Sequence, residues 1–342
     1  MHSEIPHQLI RRWLILGLIM IFFQIIIGGI TRLTGSGLSI TEWDVIMGSF
    51  PPIQENDWLV LFDKYKQFPQ YKIMNTEMNL SGFKTIFWWE YIHRLWARLF
   101  ALVFIIPFIY FIYKKWLNNK LIVHLSLLFI LGGAQGLIGW IMVKSGLKDN
   151  PWVNPLNLSF HLMMALFVYA YLLQIVSSYK RIKLSSPGVR FIPQLNLLIG
   201  LLTLQIFYGA LMAGHKAALF YPTWPTIGSE WIPSAMNTYT PAWLNLFENK
   251  ALIHFIHRGL AYILVIAFIA FWFHYRNHII SELRNWLQAV PILVLVQVLL
   301  GIITVISSLG HIPALWGVLH QATAILLLTV MLYLRFSTAK KA

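Results

Sequence analysis

Eight runs of about 20 mainly apolar residues dominate this sequence, each long enough to carry a helix across the hydrocarbon core of a bilayer. They cover roughly Trp13 to Ile30, Phe87 to Tyr113, Leu121 to Val143, Leu158 to Ile175, Phe191 to Ala213, Ala251 to Phe273, Trp286 to Ile306 and Ala314 to Leu334. A chain of 342 residues would ordinarily suggest about two soluble domains. Here 58% of residues are hydrophobic and 11% charged, far from the soluble balance of about 25% charged. The expected fold is all-α and integral to a membrane. The absence of Cys removes disulfides, thiolate metal sites, iron–sulfur clusters and Cys nucleophiles together, and leaves His, carboxylate or Met to hold any metal.

The formal charge of +14 is spread over short loops, so it reads as topology information and not as a nucleic-acid surface. With eight spans both termini share one side, and that side collects fourteen Lys and Arg residues, from Arg11 and Arg12 to Lys340 and Lys341. The other side has five in a long loop of about residues 31–85 (Arg32, Lys64, Lys66, Lys72, Lys84) and four elsewhere (Lys144, Lys148, Lys216, Lys250). The positive-inside rule puts both termini in the cytoplasm. No small-residue cleavage site follows the first span and no transit peptide is visible, so the first span is expected to be retained in a bacterial inner membrane.

Polar residues inside apolar runs reveal an internal repeat. Gln-x-x-x-Gly occurs once in each odd-numbered span, at Gln24/Gly28, Gln135/Gly139, Gln205/Gly209 and Gln297/Gly301. Each even-numbered span carries a His near its outer start: His93, His161, His257 and His320. Two of these are followed by Arg94 and Arg258, and the loops after spans one and five share Met47-Gly48-Ser49 and Ile227-Gly228-Ser229. The chain is therefore expected to be two tandem four-helix bundles, 1–180 and 181–342, joined at the basic Lys180 to Arg190 connection. An even number of spans per half gives both copies the same orientation, a pseudo-two-fold relation along the membrane normal.

Two His per half, on different helices of one bundle, suit axial coordination of a planar macrocycle such as haem, which requires neither Cys nor carboxylate. Arg94 and Arg258 offer planar forks for haem propionates. The glycines read as sites of close helix approach, with a contact from Gln to a haem edge as a second reading. His2, His7, His124, His274, His278, His215 and His311 do not recur in the repeat and are expected in solvated or interfacial roles.

The halves differ at one informative place. Aligning His93 with His257 sets Glu90 opposite His254, each three residues earlier and on the face of its His. Glu90 is expected to be the only acid in, or just at the edge of, a span, and an ionisable group there is a functional hypothesis by default. Its structural alternative is an ion pair with Arg94 or Arg98. A di-iron centre of the Glu-x-x-His type needs two such motifs and two further Glu, more than this sequence offers its membrane interior.

The stretch Gly28-Gly29-Ile30-Thr31-Arg32-Leu33-Thr34-Gly35-Ser36-Gly37-Leu38-Ser39, then Trp43, Pro51-Pro52 and Phe87-Trp88-Trp89-Glu90-Tyr91-Ile92-His93-Arg94, resembles the haem A synthase family. The four-His, eight-span layout extends the resemblance across nearly the whole chain, to the branch without paired outer-loop cysteines. The resemblance implies oxidation of a haem O methyl group to a formyl group, through successive hydroxylation and loss of water, to make haem A for cytochrome oxidase. It implies that His257 and His320 ligate a haem b, with Arg258 beside it, that His93 and His161 frame the substrate haem, with Arg94 beside it, and that Glu90 is catalytic. A haem O synthase and cytochrome oxidase assembly factors are the implied partners, and a homo-oligomer is compatible with the sequence. The 31–85 loop, rich in aromatics and Pro and holding Asp44, Asp57 and Asp63, is expected to cover the substrate pocket, to dock a partner, or to be a structured cap.

Two other classes use parts of the same inventory. A di-haem b-type electron carrier would need the four His but not Glu90. A tandem-repeat transporter would show paired charges at mid-depth and corresponding broken helices, whereas Pro107 and Pro291 do not correspond.

Overall fold

A computed structural model describes residues 4–42, 50–147, 151–178, 182–183 and 190–339. Expectations resting on His2, Trp43, Asp44, the Met47-Gly48-Ser49 copy, Lys148, Lys340, Lys341 and most of the 180–190 connection lie outside the described residues.

Among the described residues there are eleven α-helices: α1 Glu4–Leu33, α2 Glu55–Lys66, α3 Pro69–Met74, α4 Leu80–Tyr113, α5 Asn119–Gly146, α6 Pro155–Ser178, α7 Phe191–Gly214, α8 Asn245–Glu248, α9 Lys250–Tyr275, α10 Ser281–Ile306 and α11 Ala314–Ser337. Eight of them (α1, α4, α5, α6, α7, α9, α10, α11) are long and apolar enough to cross a membrane, and they contain the eight expected runs. Each outgrows its apolar run or ends with it, because hydrogen bonding continues into polar end turns that hydropathy does not register. The early start of α10 places Glu282 in its first turn, so Glu90 is not the only acid at a span, as the shorter run had implied. Aliphatic side chains such as Ile106, Val123, Ile266 and Ile292 are more than 60% exposed along these helices, as expected of surface that hydrocarbon and not water covers. The all-α expectation holds apart from one short parallel pairing of β1 (Ile182–Lys183) with β2 (Thr338–Ala339).

The chain divides into two compact units, Met1–Val168 and Tyr169–Ala342, the division falling within α6. In the first unit α1 packs along α4. Trp13 Nε1 donates to the Val103 carbonyl at 2.8 Å, Trp96 Nε1 to Met20 at 2.9 Å, and Thr31 Oγ1 to Trp89 at 3.2 Å. α4 begins seven residues before the expected Phe87, its first turn capped by the Asn79 side chain accepting from the Gly82 N–H at 2.9 Å. The extra turns serve a soluble-type core. Phe83 and Phe87 are buried against Trp58, Phe62 and Tyr65 of α2, with Phe62 and Phe83 stacked at 5.1 Å. The described residues 50–79 thus form a folded cap over this end of α4. Tyr65 donates to Gln70 Oε1 at 3.0 Å, and Gln70 Nε2 donates to the Gly35 carbonyl at 2.9 Å, tying α3 to the turn after α1.

In the second unit α7 and α10 each pack against both α9 and α11. The order around the bundle is therefore α7, α9, α10, α11, and the two His-bearing helices, α9 and α11, stand at opposite corners. Phe191 seals the start of α7 against Phe271 and Tyr275, and Tyr275 donates to Gln194 Oε1 at 2.8 Å.

Candidate functional site

One local arrangement occurs four times. In each, the His of one helix lays its imidazole against the Gly of the preceding membrane helix. A Cβ built on Gly28 would come within 3.0 Å of His93 Cε1, on Gly139 within 2.8 Å of His161, on Gly209 within 3.1 Å of His257 and on Gly301 within 2.9 Å of His320. These glycines serve the rings first: each is a notch cut to the width of an imidazole, a sharper role than the helix approach expected of them. The Gln one turn earlier reaches the same ring. Its Nε2 lies 3.1 Å from a ring nitrogen in Gln24/His93, 3.2 Å in Gln135/His161, 3.3 Å in Gln205/His257 and 3.1 Å in Gln297/His320. Gln24 and Gln135 also donate to the backbone carbonyl of their His, at 3.1 and 3.0 Å. His320 Nδ1 also faces the Gln297 carbonyl at 3.1 Å, while its Nε2 lies 3.3 Å from Gln297 Nε2.

The rings are half-buried, and they form two pairs. His161 is close enough to His93, and His320 to His257, for each couple to interact electrostatically. All four Gln Oε1 atoms are sealed from solvent without a hydrogen-bond partner, so the polar lining of the pairs is incomplete. No three His, Asp or Glu side chains converge among the described residues. The donor set at each place is two imidazoles held rigidly on separate helices, which fits a planar macrocycle taken axially.

Glu90, on α4, is 2% exposed. Its Oε1 accepts from Arg94 Nε at 3.1 Å and Nη2 at 2.6 Å, and its Oε2 from Ser39 Oγ at 2.7 Å and the Ile40 N–H at 2.8 Å. Arg94 continues into the cap, donating to the carbonyls of Ile40 and Glu42 at 2.9 and 3.1 Å. The guanidinium expected to meet a propionate is therefore turned onto Glu90 and loop backbone. A cleft of about 200 Å³ adjoins the pair, lined by Thr41, Phe50, Leu61, Tyr91 and Arg98 among others. Sequence reasoning missed Ser39 and Ile40, which lie some fifty positions from Glu90, although Ser39 closes the motif that carried the resemblance.

The second unit answers this site without its acid. Arg258 donates to the Thr223 and Thr226 carbonyls at 2.8 and 2.9 Å, presented by a turn in which Gly228 takes a φ of +66° and its N–H meets Thr223 Oγ1 at 2.8 Å. His254 stands where Glu90 would, fully buried and edge-on to the Tyr221 ring at 5.7 Å, with neither ring nitrogen in hydrogen-bonding geometry. His215, expected to be solvated, is nearly enclosed: its Nε2 meets the Phe247 carbonyl at 2.7 Å. Burial holds its pKa below the ordinary histidine value, the Phe247 carbonyl and Glu248 pulling the other way. His274 and His278 stack on each other at 6.3 Å, at the far end of α9 from His257.

Fold and site together define a multi-pass membrane protein in which each unit carries two histidines seated on glycines of neighbouring helices. The model of the cytochrome oxidase assembly protein family matches residues 11–332, and the chain belongs to that family. It is 40% identical over 333 residues to a heme A synthase of Nitrosomonas eutropha, covering 96% of this chain and 93% of the relative. It is 39% identical to a heme A synthase of Wolbachia sp. subsp. Brugia malayi (94% of this chain, 96% of the relative) and 36% identical to one of Parvibaculum lavamentivorans (97% and 94%). No solved structure matches the chain.

Proposed function

We propose that this chain is a haem A synthase, an integral-membrane oxidoreductase that converts a methyl group of haem O into the formyl group of haem A. The observation that carries the reading is the asymmetry between otherwise matched sites: a buried carboxylate, Glu90, at the first pair of histidines and a neutral-capable ring, His254, at the second. An electron-carrying di-haem cytochrome has no use for that difference.

In this reading His93 and His161 hold the substrate haem in the N-terminal half, residues 1–180. His257 and His320 hold a resident haem b in the C-terminal half, residues 181–342, which supplies an electron-transfer centre when bound. Oxidising a methyl group on an aromatic macrocycle develops positive charge and releases protons. Glu90, fixed by Arg94, Ser39 and Ile40, places a negative charge or proton acceptor beside the reacting edge. The excess of basic residues on the terminal side supports cytoplasmic termini, and a bacterial inner membrane is the compartment of this reading. A haem O synthase is the natural donor of the substrate, and cytochrome oxidase assembly factors are the natural recipients of the product.

The test is extraction and chromatography of non-covalent haems from protein produced alongside a haem O synthase. Haem b with haem A or its hydroxylated precursor is the expected result. Glu90→Ala should keep haem b while haem O or the hydroxylated species accumulates. Haem b alone in the unaltered protein would favour the electron carrier, and absence of haem would overturn both.

A further inference from the structure

Gln24, Gly28 and Arg32 follow one another at intervals of four along α1, so they share a helix face. The first two touch the His93 ring. Arg32 lies one turn further along the same stripe, beside Thr31, whose hydroxyl reaches the Trp89 carbonyl next to Glu90. The Arg32 Nη1 is sealed from solvent and meets no acceptor, and among the described residues no carboxylate pairs with this guanidinium. Arg32 is half-buried as a residue, and a charged donor sealed from water without an acceptor is unfavourable, a deficit that a ligand carboxylate at that place would offset.

The same step beyond the other three notch glycines reaches Val143, Ala213 and Val305. The cation is therefore particular to the first pair of rings, and the charge balance of the two units explains why. Arg94 is neutralised by Glu90. Arg258, at the matching position, meets only backbone carbonyls because His254 has replaced the acid. Among the described residues, a cation without a carboxylate partner is Arg258 at one site and Arg32 at the other.

We propose that Arg32 is the binding residue for a propionate carboxylate of the macrocycle held between His93 and His161, the role that Arg94 cannot fill while it is paired with Glu90. The proposal rests on the haem reading of that site. It makes α1 the wall that sets substrate orientation: the Gly28 notch seats the His93 ring and Arg32 fixes which edge faces the cap.

The experiment titrates protein as isolated from the membrane with iron protoporphyrin IX and with its dimethyl ester, in which both propionates are uncharged, following the Soret band. A charge-assisted contact should make the unaltered protein prefer the free acid about tenfold or more. Arg32→Gln should bind both forms alike at the level of the ester, and Arg32→Lys should recover part of the preference. An undiminished preference in Arg32→Gln, or none in the unaltered protein, overturns the assignment. His93→Ala and His161→Ala separate this from the underlying reading. They should lose both porphyrins equally, and if they bind both as the unaltered protein does, the haem site itself is refuted. Retention of any co-purifying haem spectrum by Arg32→Gln certifies that the variant is folded.

Discussion

The chemistry of a single carboxyl group depends on who holds it. Four donors converge on Glu90, and two of them, Ser39 Oγ and the Ile40 N–H, belong to the chain leaving α1 and not to α4. Ser39→Ala deletes one charge-assisted contact without touching the Arg94 pair. We expect a loss of about 1.5–3 kcal/mol at this contact, read as a lower melting temperature. A fall in haem A yield should accompany it, with haem b unchanged and Ser39→Thr largely restoring both. Normal haem A yield in Ser39→Ala would show that the Ser39 hydroxyl is not needed to hold the acid in working position. The Glu90–Arg94 ion pair was legible beforehand because residues four apart on a helix meet by geometry. Ser39 was not, since nothing in its spacing says that the chain folds back over α4.

At the scale of the element, the recurring unit is a helix pair, one contributing Gln and Gly and the other the His that rests on them. Gly301→Ala would set a Cβ 2.9 Å from His320 Cε1, so the ring must shift. Overpacking of this kind costs about 1–3 kcal/mol, on the order of tenfold in bound haem. We expect a severalfold drop in haem b content with a shifted low-spin EPR signal. Gly200→Ala in α7, where a Cβ meets nothing within 4 Å, is the control and should leave the haem untouched. Unaltered haem content in Gly301→Ala would mean that the notch does not position the ligand. The eight spans were readable from hydropathy because lipid demands long apolar runs. Their ends were not, and α2 and α3 escaped notice because they are short and bury aromatics against Phe83 and Phe87 inside a cap. The repeat announced which residues recur, but linear spacing cannot say that Gly28 would face His93 and not another helix backbone.

For the molecule as a whole, orientation is the property that sequence alone supplies, through the imbalance of basic residues between the two sides. A fluorescent protein fused after Ala342 should fluoresce from the cytoplasm, and alkaline phosphatase inserted between α2 and α3 should be active outside it. The opposite pattern would invert the topology and place the cap in the cytoplasm. A ring wedged against bare backbone also has kinetic consequences. An imidazole seated in a glycine notch is backed by helix backbone, which does not rotate out of the way in picoseconds to nanoseconds as an exposed side chain can. A flat guest gripped by such rings must leave edge-on, as a card leaves a slot, when the walls themselves part. Helix separation belongs to the microsecond-to-millisecond range. Turnover at the first pair of histidines would then be clocked by the breathing of its bundle and not by the rotation of its ligands.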